Sequence, residues 1–157
     1  MRRLFAVAIS AGAFILAATP AAAGAPVREP VPTPPPFVVD GACPFGVGVQ
    51  TTLNSEYTIS FTDASGNPVK QITTGHLVVI LSNVDSGKSL TVNLSGPSIF
   101  TANPDGSFTL EFLGPQAGVI GGFFVLGAGR TVFQIAPDDT MTVTQVGHFR
   151  DLCALLA

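Results

Sequence analysis

Ala42-Cys43-Pro44-Phe45-Gly46-Val47-Gly48-Val49-Gln50 divides the chain in two. The residues before it read as an address and a tether. Those after it read as strands and turns, until a second and last cysteine arrives at Cys153. Two cysteines leave a single intramolecular pairing. A bridge from Cys43 to Cys153 would close a loop of about 110 residues, worth roughly 4–5 kcal/mol in the chain-entropy model before native strain is subtracted. The expectation is an all-β domain whose first strand is stapled to its last segment.

Outward toward the N-terminus, Arg2 and Arg3 form a positive start and Leu4 to Ala18 an apolar run. Ala21-Ala22-Ala23 supplies the small-residue cleavage pattern, so residues 1–23 read as a signal peptide. The run is short for a membrane span, and no transmembrane segment is expected after cleavage. Residues 24–40 read as a proline-rich linker, with Pro26, Pro30, Pro32, Pro34, Pro35 and Pro36 close together. Proline fixes φ and lacks an amide donor, so this segment is expected to stand extended outside any ladder. Residues 41–157 remain as one domain, too short for two.

Beyond the leader the basic residues are Arg28, Lys70, Lys88, Arg130 and Arg150, against ten acidic ones. They are scattered singly, which excludes the clustered cations that a phosphate backbone requires, so no nucleic-acid partner is expected. A leader together with two cysteines points to an oxidising compartment, secreted or envelope-associated.

Turn signals then recur at the spacing of an all-β domain. Val47, Val49, Thr51 and Leu53 alternate with polar or small residues, as do Tyr57, Ile59 and Phe61. After the turn Asp63 to Pro68 comes a short strand, Val69 to Thr73. His76 to Val84 is short, β-branched and apolar on both faces, which predicts a strand covered on both sides. Ser89 to Ser95, Ile99 to Ala102 and Ser107 to Leu113 alternate again. Val119 to Leu126 is a second doubly apolar stretch with Gly121-Gly122 inside it, a pattern for a bend, a bulge or a close backbone approach. Gly127-Ala128-Gly129 reads as a hairpin loop leading to Arg130–Ile135, then Met141–Val146. Phe149 to Ala157 has room for a short C-terminal helical turn. Consecutive hairpins favour an antiparallel barrel or strongly curled meander, with a two-sheet β-sandwich as the alternative.

Cys43-Pro44-Phe45, the stretch Leu81-x-Asn83-x-Asp85-x-Gly87-Lys88-Ser89-x-Thr91-x-Asn93-x-Ser95-Gly96-Pro97 and the closing Asp151-Leu152-Cys153-Ala154-Leu155-Leu156 resemble a group of uncharacterised small secreted β-domain proteins of actinobacteria. The resemblance runs from about Cys43 onward. It implies export, the two-cysteine frame and a β-domain, and it carries no activity.

No catalytic constellation is visible. His76 and His148 lack partners at ligand or triad spacing, and zinc wants three or four such ligands, so no metal or cofactor is expected. Asn83 to Lys88 offers calcium-type oxygens without the closing Glu of an EF-hand loop, and a hairpin turn explains it. Glu56 and Glu111 are the glutamates of the folded part, and Asp138-Asp139 sit where a turn wants aspartate.

The unusual feature is apolarity: twelve phenylalanines, no tryptophan and one tyrosine. Doubly covered core strands, or burial in an oligomer, account for it. The competing account is a cavity around Phe123, Phe124 and Val125 that holds an apolar ligand. Two functional readings stand side by side. One is a non-catalytic secreted or envelope-associated domain that binds an unknown protein or surface. The other is a carrier of, or barrel enzyme acting on, a small apolar molecule.

Overall fold

A computed structural model describes residues 24–157. The expected signal peptide lies outside the described residues. The strands are β1 (Val27–Pro30), β2 (Phe37–Val39), β3 (Val47–Asn54), β4 (Tyr57–Thr62), β5 (Pro68–Thr74), β6 (Leu77–Asn83), β7 (Ser89–Asn93), β8 (Ser98–Ala102), β9 (Phe108–Ile120), β10 (Phe123–Ile135) and β11 (Met141–Asp151). One short helix, α1 (Leu152–Leu156), closes the chain. All pairings are antiparallel. They build a seven-stranded sheet, β1-β4-β5-β8-β9-β10-β11, and a four-stranded sheet, β2-β3-β6-β7.

The expected barrel does not form. The larger sheet ends in open edges at β1 and β11, and the two-sheet alternative describes the chain. Closure fails because β6 and β7 leave the meander to pair with β3, so β5 pairs with β8 directly.

The proline-rich stretch is a second correction. Instead of standing outside every ladder, it supplies an edge strand to each sheet, β1 on β4 and β2 on β3. Edge positions tolerate proline because the missing amide can face outward. The densest prolines, Pro32 to Pro36, fall between the two strands and form the crossing from one sheet to the other.

The two glycine clusters exchange their expected roles. Gly121 and Gly122 both have positive φ, 58° and 85°, and make the two-residue turn that joins Ile120 to Phe123. Gly127-Ala128-Gly129 is continuous strand within β10. There Gly129 stands opposite Gly114 of β9 and Gly147 of β11, and Gly114 lies against the backbone of Gly96. This glycine row crosses the sheet where its packing partners change. Below it β9 pairs with β8; above it β9 and β10 pack on the four-stranded sheet.

The core is built on that change. Val47 of β3, Val79 and Leu81 of β6 and Val92 of β7 meet Phe124 of β10 and Leu152 and Leu156 of α1. Strand β6 proves one-sided rather than covered on both faces. Val79, Leu81 and Asn83 are buried, while Val78, Ile80 and Ser82 between them are only half-buried.

Cys43 and Cys153 are bonded, with 5.5 Å between their Cα atoms. Both pack against the core, so the staple joins the segment before β3 to α1 as expected. Five residues of helix would not persist alone in water. Here Asp151 accepts hydrogen bonds from the Cys153 and Ala154 amides, and the buried leucines and the disulfide fix the rest.

Candidate functional site

A cavity of about 440 Å³ opens between the two sheets. The four-stranded sheet contributes Val49, Thr51 and Asn54 from β3 and Leu77, Val79 and Leu81 from β6. Facing them are Ala117, Gly118 and Val119 of β9 and Phe124 of β10. The N-terminal crossing supplies Val31, Pro34 and Phe37. The segment expected to be a tether is thus one wall of the cavity.

That wall is tied down at several points. The Val31 amide donates to the Glu56 carbonyl at 3.0 Å. The Asn54 amide nitrogen donates to the Val31 carbonyl at 3.2 Å, while its oxygen accepts from the Glu56 backbone. The Arg28 guanidinium lies 3.5 Å from the centre of the Tyr57 ring, a cation–π contact that fastens β1 to β4.

The lining is aliphatic and aromatic apart from Thr51, Asn54 and Glu56. Asn54 spends its side chain on the strap. Glu56 makes no side-chain hydrogen bond among the described residues, and burial pushes its carboxyl above the ordinary glutamate range. The arrangement is an apolar chamber with one uncommitted carboxyl at its polar corner. The pattern matches small-molecule pockets in general, which combine an apolar lining with few polar groups.

The sequence candidates separate. Phe124 is buried and lines the cavity. Phe123 is 69% exposed at the hairpin tip, and Val125 lies on the opposite face of the strand; neither reaches the chamber. Sequence reasoning misses Val31, Pro34, Phe37 and Glu56. The prolines argue against a strap that belongs to the fold, and nothing in the sequence marks a residue between two strands, as Glu56 is, for a cavity wall.

Elsewhere the chemistry is sparse. Among the described residues no three of His, Cys, Asp or Glu gather. No described helix is long and apolar enough to cross a membrane. Glu111 pairs with Arg130 across the surface of β9 and β10. Asp63, Asp105 and Asp138 hold turns: backbone and side-chain hydrogen bonds from Asn67, Ser107 and Thr140 respectively keep their carboxyls below the ordinary range. Comparison with known proteins finds no family model, no curated protein and no solved structure that matches this chain.

Proposed function

We propose that this is an exported, non-catalytic binding domain that carries a small apolar ligand between its two sheets. The observation that carries the reading is the chamber of about 440 Å³, within the range of small-molecule sites. The cleft is open to solvent on one side, so a ligand can enter and cover apolar surface that water otherwise touches. The ligand has an apolar body and one polar end, an amine or hydroxyl that donates to the Glu56 carboxyl. A single carboxyl, with no second titratable group in the lining and only the Thr51 hydroxyl and the committed Asn54 amide as further polar groups, suits retention better than turnover. Export is supported by the disulfide, which fits an oxidising compartment, and by the leader-like N-terminus.

Native mass spectrometry of the protein purified from its own secretions tests the proposal. A bound mass in the native spectrum that is lost on denaturation is expected. Ala117→Phe fills the chamber from β9 and should abolish that mass, and also uptake of the neutral fluorophore N-phenyl-1-naphthylamine. A protein that carries nothing and takes up no probe overturns the reading.

A further inference from the structure

The larger sheet ends in two unlike edges. β1 is four residues long, finishes at Pro30 and carries Arg28 and Glu29. β11 is eleven residues long, with no proline or lysine and no register shift against β10. Met141 to His148 are all exposed, including Met141, Val143 and Val146 at 58%, 38% and 65%. Among the described residues nothing pairs with its outer edge. Natural sheets rarely leave so long an edge unguarded, since alternate amides and carbonyls are offered to any passing strand.

We propose that β11 is a self-association edge, and that its partner is β11 of a second copy of this chain, antiparallel about a two-fold axis. The charges choose this occupant. Arg150 lies near one end of the strand, and Asp138 and Asp139 lie in the turn before the other. None of them is ion-paired among the described residues, where Arg130 with Glu111 is the one salt bridge. Antiparallel pairing with the axis through Thr144 brings Arg150 beside the turn of the second copy that carries Asp138 and Asp139, at both ends. It also sets Val146 opposite Thr142, and leaves no like charges face to face. Head-to-tail joining of β11 to β1 would grow without closing. The shortness of β1 and its terminal proline disfavour it. The association is independent of the chamber, whose lining includes no residue of β11.

Sedimentation velocity of the full protein across a concentration series reads the state directly. A closed dimer is expected. Thr144→Lys places lysines opposite each other on the axis, where like charges destabilise a cross-strand pair. Self-association should weaken at least about tenfold, and Arg150→Glu should weaken it too. Thr144 is exposed, so the melting temperature and circular dichroism of the diluted monomer should not move. A monomer at every concentration, an open-ended assembly, or a dimer indifferent to Thr144→Lys with its fold intact, overturns the proposal.

Discussion

Thr131 is fully buried, and its hydroxyl has no hydrogen-bond partner among the described residues. It stands opposite Phe112 on β9, whose ring meets Phe133 edge-on at 6.0 Å. A buried hydroxyl with no partner is a net cost, and valine has nearly its shape. Thr131→Val should therefore raise stability by about 1 kcal/mol in urea unfolding; a loss of stability would reveal a partner for the hydroxyl. Asn83 presents the opposite case. Its side chain accepts from the Asp85 and Ser86 amides and donates to the Leu156 carbonyl at 3.2 Å, joining the β6–β7 turn to α1. Asn83→Ala strands all three and should cost about 2–3 kcal/mol. The turn at Asn83 was legible in the sequence; its bond to a helix 73 residues away was not, because nothing local encodes that distance. Glu56 adds a pH dependence. A carboxyl raised by burial favours the folded state while protonated, and the advantage is lost as pH rises through the ordinary glutamate range toward the folded value. Glu56→Gln should stabilise at neutral pH and change nothing in acid. The gain should stay below about 1 kcal/mol, since Glu56 is only partly buried and solvent still screens it. Equal melting shifts at both pH values would refute the assignment.

At the scale of elements, the glycine row makes the contrast. A Cβ at Gly129 would collide with the Val146 carbonyl oxygen and crowd Gly147, both backbone, so the strands themselves would have to part. A Cβ at Gly118, further along β9, would meet nothing. Gly129→Ala should lower stability by about 2 kcal/mol or more, with Gly118→Ala near neutral, in parallel denaturant titrations. The alternation of apolar residues foretold most of these strands, and hairpin turns such as Asp63 to Pro68 were equally plain. The two glycine clusters were legible only as glycine. Whether a pair turns the chain or lets a neighbour pass depends on the strand opposite. Gly127 and Gly129 face Phe149 and Gly147, in the part of β11 beyond Val146 that the sequence does not announce.

For the whole molecule, the N-terminal strap is where composition misled and where the decisive truncation lies. Prolines forbid a ladder within Pro32 to Pro36, and that much was correct. The inference that the whole of residues 24–40 lay free was not, because short flanking strands on either side suffice to hold a crossing. Removing everything before Gly41 deletes both edge strands, the Arg28–Tyr57 contact and the bonds of Val31 to Asn54 and to Glu56. It also removes one wall of the chamber, leaving Val79 and Phe124 less shielded. A chain starting at Gly41 should keep its β spectrum, since the disulfide and the core of β3, β6, β7, β10 and α1 survive. Its melting temperature should fall by about 10 °C, the equivalent of a few kcal/mol for a domain of this size. It should also release a bound apolar probe faster than the chain starting at Gly24. Equal melting temperatures would show that the strap contributes nothing to the fold and would restore it as a tether. A lower melting temperature with unchanged probe release would keep the strap in the fold and remove it from the binding site.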